Sequence, residues 1–149
     1  MEIKLVKYTL EFIDLSRKWL LDEEVQKLTN TPTFNREEQL IWFEGLKEKT
    51  NYLIWGIEIT GTKIGACGLK NISETDCEYW GYIGEKEYWK KGLGTQVLKM
   101  LENKAIELGL KSIWLKVLLM NQAAIALYLK NGYEVETTDS VLQLMRKKI

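Results

Sequence analysis

Hydrophobic and polar positions along this chain repeat with two periods, and the switches between them mark out its elements. Residues 2–8 read as a first strand. Residues 10–21 follow as a helix with Phe12, Leu15, Trp19 and Leu20 on one stripe, and Thr9 stands where an N-cap belongs. Residues 22–32 are polar and lose the periodicity, and Pro32 argues against a helix continuing there. Asn35 and Glu38 have the spacing of a capping box, for a helix to about residue 49 with Leu40, Phe43 and Leu46 as its stripe.

Period two returns at Leu53, Trp55, Ile57 and Ile59, the mark of a half-buried strand. Gly61-Thr62 turns the chain, residues 63–72 come back as a hairpin partner, and residues 77–83 add a third strand. A helix over 95–108 carries Val97, Leu98, Leu101, Ala105 and Leu108, with Gly109 as its C-cap. Ile113, Leu115 and Val117 alternate in the next strand. Asn121 can cap a helix through Ala124, Leu127 and Tyr128 that closes at Asn131-Gly132, and residues 133–135 and 141–145 read as final antiparallel strands. With no repeat, low-complexity tract or linker, residues 1–149 read as one domain, an α/β chain with a mixed sheet of about seven strands.

Composition removes several function classes. Lysine plus arginine and aspartate plus glutamate are equal at 21 each, so no global field favours nucleic acid or an anionic membrane. Histidine is absent and Cys67 and Cys77 have no CxxC spacing, which excludes the usual zinc sites and any histidine-based triad, and no metal is expected. Low cysteine use and an N-terminus unlike a signal peptide point to a cytoplasmic setting.

The chemistry concentrates at Tyr88-Trp89-Lys90-Lys91-Gly92-Leu93-Gly94-Thr95, between a strand and a helix. A glycine turn opening a helix aims unpaired N–H groups at one spot beside the positive end of the helix dipole, a geometry that binds phosphate. The dinucleotide fingerprint fails at its third glycine, where Val97 stands. The P-loop fails because Lys91 precedes the glycines.

Three segments around this turn resemble the GNAT superfamily of acetyl-CoA-dependent N-acyltransferases. Trp89-Lys90-Lys91-Gly92-Leu93-Gly94 is similar to the family's pyrophosphate loop, Arg/Gln-x-x-Gly-x-Gly/Ala, except at its first position. Tryptophan there resembles the branch of ribosomal-protein N-terminal and amino-sugar acetyltransferases. Asn121-x-x-Ala124-x-x-Leu127-Tyr128-x-Lys130-x-Gly132-Tyr133 matches a second family segment, and Cys77-Glu78-Tyr79-Trp80-Gly81-Tyr82-Ile83 is similar to its fourth strand. The resemblance runs in the family's order from Leu53 to the C-terminus and is looser before it.

The resemblance implies a sheet with helices on both faces, splayed between the fourth and fifth strands, with acetyl-CoA as co-substrate. It places Tyr82, Ile83 and Gly84 on the open edge that pairs with pantetheine, and Gly92, Leu93, Gly94 and Thr95 around the pyrophosphate. Lys90 and Lys91 add charge there or are simply solvated, and Asn121 is a helix cap, a coenzyme contact or both. Tyr128 matches the tyrosine proposed as general acid toward the sulfur, and Glu78 stands where some members carry a base. For the acceptor wall the resemblance points to Trp19, Asp22, Glu23, Glu24 and Trp42. The implied function is transfer of acetyl to a primary amine of a small molecule, an aminosugar nucleotide among the options. A protein N-terminal acetyltransferase and a non-catalytic acyl-CoA sensor stay open as alternatives. Members of the family often pair through C-terminal strands, so a homodimer is an expectation of the resemblance and not of the residues.

Overall fold

The computed structural model describes residues 2–31 and 34–149, so Pro32 lies outside the described residues. In chain order the elements are β1 (Ile3–Lys7), α1 (Leu10–Leu21), α2 (Glu23–Thr29), α3 (Arg36–Gly45), β2 (Leu53–Ile59), β3 (Thr62–Lys70), β4 (Asp76–Ile83), α4 (Leu93–Glu107), β5 (Ser112–Leu118), α5 (Gln122–Lys130), β6 (Glu134–Thr138) and β7 (Leu142–Lys148). Single 3-10 turns cover Leu46–Glu48 and Lys86–Tyr88.

The strands form one seven-stranded sheet in the order β1-β2-β3-β4-β5-β7-β6. Every neighbouring pair is antiparallel except β4 and β5, which are joined through α4 and run parallel. That parallel ladder is short. It pairs Asp76 with Ser112, Cys77 with Ile113 and Glu78 with Trp114, and beyond Glu78 the two strands part. The expected splay is therefore present, and it begins at Glu78.

Two cores flank the sheet. On one face Leu93, Val97, Leu98, Leu101 and Ala105 of α4 pack against Ile57, Ile64, Leu69, Cys77 and Ile113, with α5 adding Ala124, Leu127 and Tyr128. On the other face Phe12, Ile13 and Trp19 of α1 pack with Tyr8 and Ala66, and Trp42 and Phe43 of α3 close over them. Strand alternation therefore sends Cys77 and Tyr79 toward α4, and Trp80 and Tyr82 toward α1.

Four local expectations are corrected. Residues 23–29 form α2, although only Val25 of that helix is buried; Asp22 starts it by accepting from the amides of Glu24 and Val25 at 3.0 and 3.2 Å. The helix at Asn35 stops at Gly45 and tightens into a 3-10 turn. Thr9 occupies the N-cap position of α1 without a side-chain bond. The last strand runs on to Lys148 because its cations have partners: Arg146 donates to Asp76 and Glu136, and Lys147 reaches buried Glu102.

Candidate active site

The parting of β4 from β5 opens a cleft of about 720 Å³, lined by residues 78–82 of β4 and 115–118 of β5 and reaching toward α3. Glu78 stands at its root. It is only 7% exposed, and its Oε1 accepts from the Asn71 side-chain amide at 2.9 Å while Lys70 Nζ lies 3.9 Å from Oε2. Tyr128 enters the same cleft from α5, with its ring edge-on to Tyr79 at 6.4 Å. Burial pushes its hydroxyl up to about 12, so it keeps its proton at neutral pH. Asn121 also lines the cleft and caps α5, its side-chain oxygen accepting from Ala124 N–H at 3.2 Å.

The backbone of β4 divides its groups by residue parity. The Asp76 carbonyl accepts from Ser73 and the Gly84 amide donates to Ile64 at 2.6 Å, both on the β3 side, while the Thr75 carbonyl accepts from Lys111 across from β5. The β3–β4 ladder has no register break, so the groups of residues 79, 81 and 83 face the gap. Of Tyr82, Ile83 and Gly84, only Ile83 turns its backbone there. Gly84 serves a packing need instead: a Cβ on it would lie 2.2 Å from Trp19 Cγ.

The glycine turn lies beyond the end of β4. Gly92 is the N-cap of α4 at φ 76°, ψ 8°, a conformation glycine adopts without strain, and Lys90 is at φ 61°. The helix begins at Leu93, so Thr95 sits inside its first turn, where the amides of Leu93, Gly94 and Thr95 precede the first intrahelical acceptors. Leu93 itself is buried, Gly94 sits close against Leu127 of α5, and Lys90 and Lys91 are exposed.

Of the residues expected on the acceptor wall, Trp42 lines the cleft, and Trp19 and Asp22 do not. Trp19 is 2% exposed and donates from Nε1 to Glu85 at 2.7 Å. Asp22 is occupied by Lys86 at 2.8 Å and by the α2 amides, which in that order hold its carboxyl below the usual range, and Glu24 lies 3.7 Å from the same lysine. Glu23 is exposed on α2. Around the expected Trp42 and Tyr82 the cleft also holds Tyr8, Tyr52 and Trp80, which the sequence analysis did not single out: Tyr8–Trp42, Trp42–Tyr52, Tyr52–Trp80 and Trp80–Tyr82 centroids are 6.3, 6.4, 6.5 and 6.5 Å apart. Period two from Glu78 and Tyr82 was a signal for Trp80. Tyr8 closes the strand read over residues 2–8 and falls one residue past β1, and Tyr52 falls one residue before β2. The charged lining residues are Glu38, Glu78, Lys70 and Lys116, and they balance.

The acetyltransferase (GNAT) family model matches residues 17–133, and the chain belongs to that family. A search of curated proteins finds no significant match. Among solved structures, the chain is similar to a domain from Methanocaldococcus jannaschii at TM-score 0.87 and 18% identity, covering 99% of both chains. It is similar to the PaiA N-acetyltransferase of Thermoplasma acidophilum in complex with coenzyme A, at TM-score 0.78 and 24% identity over 100% of both. A third likeness is to spermidine N-acetyltransferase from Vibrio cholerae with CoA and spermine, at TM-score 0.82 and 16% identity, covering 98% of this chain and 95% of that one. Among the described residues, no helix is long and apolar enough to cross a membrane and no acidic, cysteine or histidine group could hold a metal.

Proposed function

We propose that this acetyltransferase moves acetyl from acetyl-CoA to the primary amine of a small molecule, with both substrates bound together in the β4–β5 cleft. One observation carries the reading: Glu78 and Tyr128, a carboxylate and a protonated phenol, line a single cleft at the point where the strands part.

The coenzyme supplies a thioester whose carbonyl carbon the amine attacks. The unpaired amides of Leu93, Gly94 and Thr95 would hold its pyrophosphate, with Gly92 shaping the turn and Lys90 and Lys91 adding charge. The open edge at Ile83 would pair with its amide arm, and Asn121 lines the cleft farther along β4, beside residues 78–82. An alkylammonium, with a pKa of about 10, attacks only after losing a proton. Glu78 accepts that proton, directly or through a water. As the C–S bond breaks, Tyr128 donates its proton to the departing sulfur, and the second proton leaving the acylated nitrogen returns to the tyrosine oxygen, directly or through water, as the amide forms. No serine or cysteine is needed as a nucleophile: Cys67 and Cys77 are fully buried, and burial raises both thiols above their ordinary value.

For the acceptor, the ring wall at Tyr8, Trp42, Tyr52, Trp80 and Tyr82 suits a ring-bearing amine such as an aminosugar nucleotide. Two acids balanced by two lysines offer little to a polycation. The test is a panel of aminosugar nucleotides, polyamines, aminoglycosides and N-terminal peptides with acetyl-CoA, reading released thiol. Turnover with an aminosugar nucleotide above the other groups is expected. Turnover confined to peptides or polyamines removes the acceptor assignment, and none with any amine favours the sensor.

A further inference from the structure

The Ile83 carbonyl faces the gap, where an extended ligand would meet it, yet it already has a partner. The indole Nε1 of Trp89 donates to it at 2.8 Å. Between them lies the 3-10 turn Lys86–Tyr88, closed by the Trp89 amide donating to the Lys86 carbonyl at 3.0 Å. Immediately after Trp89 the chain enters the turn with Lys90 at φ 61° and Gly92 at φ 76°. One side chain thus joins the end of the open strand edge to the start of the phosphate loop.

We infer that Trp89 is a positioning residue: its indole caps the open edge of β4 and fixes the spacing between that edge and the phosphate loop. This rests on the coenzyme reading proposed above. An indole N–H donates and cannot accept, so the bond takes one lone pair of the Ile83 carbonyl and sets the indole beside it, and an incoming amide N–H there has to share that oxygen. What Ile83 still offers is its own N–H, which takes a carbonyl. An arm shifted to present an N–H at that point meets an oxygen already shared with the indole, so the cap disfavours that register. Only a ligand that spans both halves feels the spacing, because the second contact of a linked pair depends on whether the geometry permits both at once.

Trp89→Phe keeps the ring and removes the donor. Calorimetric titration with coenzyme A and with ADP, which carries the pyrophosphate without the arm, separates the two halves. We expect the coenzyme A Kd to rise about tenfold, ADP affinity to stay within about twofold, and kcat at saturating acetyl-CoA to change little. Trp89→His, which restores a ring N–H, should recover part of the loss. Equal weakening of both ligands, or no change in either, overturns the inference while leaving the coenzyme reading intact. A wild-type chain that binds neither ligand takes both down. Should Trp89→Phe not fold, the wild-type indole decides: its N–H should stay protected from exchange with coenzyme A bound, and free exchange overturns the inference.

Discussion

Asn71 donates its side-chain amide to Oε1 of Glu78 at 2.9 Å, fixing that carboxylate at the last rung between β4 and β5. Oε2 is left with Lys70 at 3.9 Å, beyond hydrogen-bonding distance. Glu78→Gln keeps the shape and removes the capacity to take a proton. Steady-state kinetics should show kcat/KM lowered by about 10²–10⁴, with coenzyme affinity unchanged. A loss below threefold would assign the proton to another acceptor.

Tyr128→Phe should lower kcat by about tenfold or more while thermal melting stays close to wild type, because the ring and its packing on Tyr79 and Tyr133 remain. Unchanged turnover at saturating acceptor would remove the acid role.

The sign of the Tyr128 shift gives a pH prediction. A hydroxyl raised from 10.0 to about 12 is bound more tightly to its proton in the fold, so its stabilising contribution is complete below pH 10 and is lost as pH rises toward 12. Rate profiles should therefore show no loss of the acid form below about pH 11. A basic limb near pH 9 that vanishes in Tyr128→Phe would contradict this.

Two glycines should fail in different ways. Gly84→Ala puts a methyl 2.2 Å from the Trp19 ring and should cost about 1–3 kcal/mol in chemical denaturation. Gly92→Ala meets nothing within 4 Å but keeps a φ of 76°, so about 1–2 kcal/mol of backbone strain should appear with weakened coenzyme binding. Equal stability of Gly84→Ala and wild type would mean that the indole of Trp19 yields freely.

Much of the fold was legible because its signals are local. The caps at Asn35 and Asn121 hold the helix amides that their spacing promised, and the meander from Leu53 to Ile83 follows its alternation. Helix α2 was invisible because it buries one residue and is begun by Asp22, so no stripe develops. Motif directed attention to Glu78, Tyr128 and the glycine turn, and the fold puts the first two on the β4–β5 cleft and the turn at the start of α4. What depends on distant packing was not legible: Trp19 lies under Gly84, Tyr8 and Tyr52 are joined through Trp42 of α3, and Tyr52 meets Trp80 across the sheet. The parity of β4, which turns Ile83 but neither Tyr82 nor Gly84 into the gap, is set by the turns at its two ends.

Isothermal titration of the full chain with acetyl-CoA, without acceptor, tests the coenzyme site most directly. The predicted result is saturable one-to-one binding that weakens in Gly92→Ala. Absence of binding at millimolar acetyl-CoA would contradict both the phosphate cradle at Gly92–Thr95 and the enzyme built around it.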